Sequence, residues 1–531
     1  MKKKRLRDRI QEILNSNTDN PIKKVEEKTL SKKLKDNVKI IEDIIGFSDD
    51  VEIRNFEIAN KDKTKAAIIF IDGLVNSQII NDNILKPLLD FNLIEENSKE
   101  STINDFASFL ERKILSVDEV EINDQLEDLV QGPLMGKTIL LIDGYNKGLI
   151  LNTIGLEFRG VEEPQTEAII RGPRDGFTEN LRVNTSLIRR RIKHPSLRIK
   201  NMVVGKYSKT DISICYIEGL TNKYLVEEVK ERIANIEIDG IQDSGYIEQL
   251  IEDNHYSLFP QLLSSERPDR AVANLLEGRI VIVTDGTPFA LIAPVTISVF
   301  LQSPEDYYDR FMIASLLRFI RFIALIITLT LPAFYIALIA YHPEMIPTEL
   351  ALAFAGGRAE VPFPSYIEAF LMAGLMELLR EGSVRLPTPI GPTIGIVGAL
   401  IIGEAAVTAN IVSPFMVIII ATTTIASFAI PNYSAAIALR LLQFPLMIMA
   451  SIFGLYGIIL GLIIISIHLV SLKSFGIPYM TPMAPSRIND MKDTLVNVPI
   501  WSRFNRPKHL RTKNRQRFSS KGDDDGNERT R

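Results

Sequence analysis

The residue that first asks for chemistry is Glu404, the one charged side chain in the run 391–411. A carboxylate in hydrocarbon costs about 2.5–3.5 kcal/mol on insertion scales, so it must face water or a partner. On a helix, Thr393, Val397, Leu400, Glu404 and Thr408 fall on one face, at steps of four, three, four and four residues. Polar ends around an apolar middle suit a pore that gates by dewetting, with Glu404 as a ring of cation-attracting charge. On another face Gly391, Gly395, Ala399 and Gly403 recur every four residues and let a neighbouring helix come close. A second reading stays open: Glu404 pairs with Arg440 or Arg385 inside a bundle.

A second concentration of chemistry is cationic. Arg171 and Arg174 precede the run Arg189-Arg190-Arg191. Such a cluster can bind an anion or the acidic face of another subunit, or be a solvated helix with local ion pairs. Gly132-Pro-Leu-Met-Gly136-Lys137-Thr138 resembles a phosphate-binding loop, but it has three residues between its glycines where the motif needs four. It also precedes a strand-like run where the motif opens a helix. No nucleophile–base pair or carboxylate dyad stands out, so catalysis is not expected. Cys215 is the single cysteine and the five histidines include no HxxxH pair. Neither a disulfide within the chain, nor a metal site, nor a cofactor is expected. A net charge of −4 gives no general pull toward nucleic acid.

The elements that must position these residues belong to two different environments. Between 322 and 471 there are 11 Asp, Glu, Lys or Arg, against 115 in the other 381 residues. So few charges over such a length read as a membrane domain. Spans are expected at 322–341, 391–411, 414–430 and 441–467, each long enough to approach a hydrocarbon core of about 30 Å. The stretch 366–379, with Glu368 and Glu377 inside it, reads as a re-entrant or fifth helix. Arg310, Arg318 and Arg321 before the first span, and Lys473, Arg487 and Lys492 after the last, put both flanks in the cytoplasm. Both flanks on one side require an even number of spans. The basic tail from Arg503 to Arg517 is either solvated or rests on anionic lipid, and 521–526 is expected to be disordered. The basic start lacks an apolar run behind it, so no cleaved signal is expected and about 310 residues stay cytoplasmic. Ser303-Pro304-Glu305-Asp306 should open a helix. Phe311, Leu316 and Phe319 with the three arginines should make it an amphipathic approach to the membrane.

The charged half repeats itself. Ala67-Ile-Ile-Phe-Ile-Asp72-Gly-Leu-Val-Asn76 is echoed by Ile212-Ser-Ile-Cys-Tyr-Ile-Glu218-Gly-Leu-Thr-Asn222, and Gly136–Gly144 by Gly278–Gly286. The acid-glycine turns are 146 and 142 residues apart, in the same order, as two copies of one α/β unit would be. The expected fold class is therefore a cytosolic domain of two related α/β subdomains followed by an all-α polytopic membrane domain. The boundaries are a flexible basic lead at 1–40, subdomains at 41–160 and 161–300, and a linker helix at 301–321. The transmembrane domain follows at 322–472 and a cytosolic tail at 473–531.

Arg171-Gly-Pro-Arg-Asp-Gly-Phe-Thr-Glu, Leu187-Ile-Arg-Arg-Arg-Ile-Lys, Asp285-Gly-Thr-Pro-Phe, Gln302-Ser-Pro-Glu-Asp-Tyr-Tyr, Tyr341-His-Pro-Glu and the glycine-rich 394–412 carry a resemblance. Over about 40–500 the chain resembles the A subunit of the nutrient germinant receptors of endospore-forming bacteria. The lead and the charged tail beyond Trp501 fall outside it, and Glu404 stands where that family more often has Gln. The resemblance implies a protein of the spore inner membrane working with a permease-like B subunit and a lipoprotein C subunit. It further implies a homo-oligomeric ring, a pentamer, whose membrane part conducts ions when nutrient binds. A transporter, or a scaffold that moves no ions, is the competing class. The broken helices around Pro414, Pro431 and Pro445 suit a transporter. Its inverted repeat is not seen in the membrane half.

Overall fold

The computed structural model describes residues 29–59, 63–90, 117, 119–155, 162–385, 398, 401, 403–487, 490–494, 496–503 and 505–517. The duplication is visible at once in the strand order. The first copy holds α1 (Leu34–Ile45), β1 (Val51–Glu57), β2 (Lys65–Ile71), a helical run over 77–89, β3 (Val120–Asn123), α2 (Leu126–Leu134), β4 (Thr138–Ile142) and β5 (Gly148–Leu151). The second holds α3 (Leu181–Arg191), β6 (Leu197–Val204), β7 (Thr210–Ile217), α4 (Lys223–Ala234), α5 (Ser244–Ile251), β8 (Leu263–Ser265), α6 (Pro268–Leu276), β9 (Ile280–Thr284) and β10 (Ala290–Ala293). The sheets run β1-β2-β4-β5-β3 and β6-β7-β9-β10-β8, all pairs antiparallel.

Both faces of each sheet are covered, which is why the central strands read as unbroken apolar runs. Ala66 and Ile68 enter one core of the first copy, Ala67, Ile69 and Ile71 the other. The acid-glycine turns repeat too. Gly73, Gly144, Gly219 and Gly286 all have φ between 79° and 84°, a backbone that glycine adopts without steric cost. Asp143 and Asp285 do more than turn: their Oδ1 atoms accept from the first helical N–H of their copies, Leu34 at 2.9 Å and Leu181 at 3.1 Å. Asn37 and Asn184, both buried, each close a loop by bonding both atoms of one backbone unit, Ser31 and Thr178. The expected boundary at 40 therefore falls inside α1, whose Leu34 and Ile41 belong to the first core.

The phosphate-loop look-alike is the end of α2, a turn at Gly136 and then β4, a helix-to-strand connection.

The apolar half departs from expectation in three places. The linker and first span are one helix, α7 (Phe311–Tyr341), preceded by a separate 3-10 turn at Pro304–Tyr307 that carries the Ser303/Asp306 capping box. The stretch at 366–379 is the middle of α9 (Ser365–Arg385), 21 residues long, after the short α8 (Thr348–Arg358). Its charges are tolerated because they are paired, as described below. The span expected at 441–467 is cut by Gly454, at φ 60° and ψ −137°, into α11 (Tyr433–Phe453) and α12 (Leu455–Ser471). Gly457 sits so close to the Met449 carbonyl that a side chain there would collide, and one at Gly454 would press on Tyr341 and His342. α10 (Pro414–Phe428) matches the expected 414–430. By length and composition α7 and α11 are long and apolar enough to cross a membrane, and α10 and α12 are shorter apolar helices.

One core joins the halves. Phe259 and Phe300 of the α/β body and Tyr479 of the tail pack with Ala435, Leu439 and Leu469 of the helices and with Leu472 just after them. Tail residues up to 517 fold back on the second copy: Arg506 Nε donates to the Leu276 carbonyl at 2.7 Å, and Arg517 pairs with Glu277 at 2.8 Å. The expected disorder at 521–526 lies outside the described residues.

Candidate functional site

Asp306 is the centre of a buried ionic joint where the α/β body, α7 and the tail meet. It is 1% exposed and accepts Arg318 Nε at 2.8 Å and Arg321 Nη1 at 2.8 and 2.9 Å. Arg318 also donates to the Asp493 carboxylate at 2.9 Å, and Arg503 reaches the same oxygen at 3.0 Å. The Tyr307 ring lies beside both guanidinium groups, 5.5 Å from Arg318 and 4.7 Å from Arg503. Burial, then Asp493, pushes the Tyr307 phenol well above its ordinary range, so it stays a neutral donor. One carboxylate with two arginines, each geometrically engaged, ties α7 to the 3-10 turn that precedes it.

That geometry inverts the expected amphipathic approach. Arg318 and Arg321 point inward, and Leu316 and Phe319 are exposed. A helix stripe of arginines covers protein as readily as headgroups when an acid waits opposite, and Asp493 is 175 residues away in the chain.

The arginine run divides in the same way. Arg189 is 2% exposed and forked onto Asp50 at 2.9 and 3.0 Å, with Ser48 and the Leu197 carbonyl taking its other donors. It is used within the chain, tying copy to copy, and is not presented to a neighbour. Arg191 is on Asp175 at 2.5 Å. Arg171 and Arg174 are exposed, near Asp309 at 3.8 Å and Glu163 at 3.0 Å. Arg190 is exposed as well. Cys215 is fully buried beside the Arg189–Asp50 pair, and burial pushes its thiol up to about 12, so it is inert.

Two further clusters hold the helices. Glu368 on α9, with no exposed surface, accepts Arg358 at 3.0 Å and the Ser413 N–H that opens α10, also at 3.0 Å. Glu377 on α9 is shared by Arg380 and Arg440, each at 3.4 Å, and Arg380 bonds Ser427 on α10. Beside them Gln443 Oε1 lines a cavity of about 10 Å³, room for one water, with no hydrogen-bond partner among the described residues.

Thr393, Val397, Leu400, Gly391, Gly395 and Ala399 lie outside the described residues, as does the Arg385 side chain. The final turns, 403–408, are helical. Gly403 is buried with Val417 of α10 at 3.6 Å from where a Cβ would stand, the close approach a small residue permits. Glu404 and Thr408 are exposed, and among the described residues no cation pairs with Glu404; Arg440 is engaged with Glu377. Among the described residues no group of three His, Cys, Asp or Glu is placed to hold a metal.

Asp306 was visible only as a helix-capping acid, and Asp50 and Asp493 carry no local pattern that marks them.

Fold and site together define a class: a duplicated α/β body locked by buried arginines to a bundle of apolar helices. The chain belongs to the Bacillus/Clostridium GerA spore germination protein family, whose model matches residues 39–509. It is 45% identical to spore germination protein KA of Bacillus subtilis (strain 168), over 88% of this chain and 84% of that one. It is 44% identical to spore germination protein GerLA of Bacillus cereus, over 90% and 95%. It is 42% identical to the uncharacterized membrane protein YfkQ of Bacillus subtilis (strain 168), over 94% and 95%. The crystal structure of the N-terminal domain of the A subunit of the Bacillus megaterium spore germinant receptor GerK3 covers 50% of this chain and 96% of its own, at 35% identity and a TM-score of 0.39.

Proposed function

We propose that this chain is the A subunit of a nutrient germinant receptor in the spore inner membrane, a homo-oligomeric, pentameric ring that conducts cations when nutrient is sensed. Its partners are a permease-like B subunit, to which the nutrient pocket is assigned, and a lipoprotein C subunit. The observation that carries conduction is Glu404: an acid in a charge-poor stretch, exposed on the single chain and without a cation partner among the described residues. A neighbouring copy and water supply the environment its charge requires. The reading places Thr393, Val397, Leu400, Glu404 and Thr408 along the path and Gly391, Gly395, Ala399 and Gly403 against the adjacent helix. Arg171, Arg174 and Arg190 are exposed and are the members of the cluster proposed to meet an acidic face of the next subunit, Arg189 being internal.

In the same reading α7, α9, α10, α11 and α12 join the span expected at 391–411 in six passes, in place of the four firm spans expected from the sequence. His468 near the end of α12 bonds Ser257 of the body at 3.0 Å, which supports the two flanks lying on one side. The test is conductance of the reconstituted chain. Val397→Ala or Leu400→Ala is expected to leak ions, and Glu404→Gln to lower cation flux. Unchanged conductance in all three, with assembly intact, overturns the channel in favour of a non-conducting scaffold. A monomer in detergent does the same for the ring.

A further inference from the structure

The first turns of α7 and the tail segment 496–503 form one outward-facing apolar surface. Trp501 is 71% exposed, with its ring edge-on to Phe311 at 6.2 Å. Val496 on the same tail segment and Met312, Leu316 and Phe319 on the first turns of α7 are exposed, and Arg310 is exposed at the helix start. The surface is built and not frayed. The Asn497 N–H donates to Ser315 Oγ at 3.0 Å, and Arg503 is fixed on Asp493, so Trp501 hangs between two anchored residues. We propose that this surface is a membrane-interface anchor, with Trp501 and Phe311 in the inner headgroup layer and Arg310 on anionic headgroups. The proposal rests on the chain spanning a membrane.

Length argues for lipid. α7 has 31 residues, about 46 Å at 1.5 Å per residue. That matches a bilayer with its headgroups, about 40–45 Å, and exceeds the hydrocarbon core alone. The far end of the helix carries Tyr341, also exposed, so an aromatic side chain marks each end as the two belts of a bilayer require. The exposed face runs without a break from Met312 and Leu316 through Phe319, Ile323 and Ile326 into the part the hydrocarbon covers. One environment covers it all. The buried arginines make this arrangement tenable, because Asp306 and Asp493 neutralise them behind the face that meets lipid.

Trp501 is the only tryptophan in the chain, so the wild-type protein reports on itself. The full chain is reconstituted in phosphatidylcholine–phosphatidylglycerol vesicles and floated, then its emission is read with lipids brominated near the headgroup or near the chain end. The expected result is a blue-shifted emission, quenched at least about twofold by headgroup-proximal bromine and less by the deep label, as an interfacial indole requires. A chain that floats but is quenched by neither label overturns the anchor and leaves the membrane reading standing. A chain that does not float overturns both. Blue-shifted, unquenched emission together with a crosslink from position 501 to a second copy assigns the face to a subunit contact and also overturns the anchor.

Discussion

The two copies of the α/β unit share strand order, turn glycines, capping aspartates and loop-closing asparagines, yet they are held in the molecule by different physics. The first copy has two cores of its own residues, β-sheet against helix on each face. The second shares one of its cores with α11, α12 and the tail, and its border is crossed by charge pairs at Asp306 and Asp493. Among the described residues the one buried ion pair between the copies is Arg189–Asp50, flanked by Lys200 on Asp49. A duplicated scaffold thus supplies shape twice. What distinguishes the copies is where buried arginines tie them, and the second copy is the one that shares a core with the apolar helices.

The comparison breaks most severely at Asp306. Asp306→Ala leaves two buried arginines facing each other, at a cost of about 3–5 kcal/mol for a broken buried pair. Thermal unfolding of the full chain in detergent is expected to show that loss. A loss under about 1 kcal/mol, the size of an exposed pair, would make the joint ornamental. Next comes Asp50→Ala, expected to cost about 3 kcal/mol, less because Arg189 keeps Ser48 and the Leu197 carbonyl. Its distinguishing readout is proteolysis between the copies, at the exposed stretch around Ile170, which should accelerate. If only the first copy loosens and that stretch cuts at the wild-type rate, the copies are not tied by this pair.

Much of the scaffold could be read in advance, and the reason is local. Four strands and the 142–146 residue offset follow from β-rich runs ending at an acid and a glycine, signals carried within ten residues. The ties could not be read, because each joins residues far apart in the chain: Asp50 and Arg189 are separated by 139 positions, Arg318 and Asp493 by 175. Three arginines in a row look like a solvated face, but α3 sends the first of them to the side of Leu181, Thr185 and Ile188, which is buried. In the apolar half an uncharged run such as 441–467 gives length and no interruption, and only the positive φ of Gly454 shows where the hairpin turns. Glu368 and Glu377 argue in the sequence against a long helix at 366–379, and the arginines that pair with them, Arg358, Arg380 and Arg440, lie outside that stretch.

A smaller effect tests the equivalence of the copies. Asp143→Ala and Asp285→Ala each remove one carboxylate from a helix start, and each should cost about 1 kcal/mol, a typical cap. Denaturant midpoints of the two variants should agree. A clearly larger loss at Asp285 would mean that the joint next to the second copy also loads its cap, and the two scaffolds would no longer be interchangeable.

The smallest expected effect is a pH dependence carried by the second copy. Burial, then Glu252 and Asp243, pushes Glu248 on α5 up to about 7 from an ordinary 4.5. The folded state therefore holds a proton that the unfolded chain releases between about 4.5 and 7. Over that window the unfolded state binds fewer protons, so stability is greatest below it and falls as pH rises through it. One proton bounds the slope at about 1.4 kcal/mol per pH unit, and the side chain's partial opening to water lowers it. Unfolding of the full chain should show this slope, and Glu248→Gln should flatten it. A slope that survives the substitution would trace to another group and remove this difference between the copies.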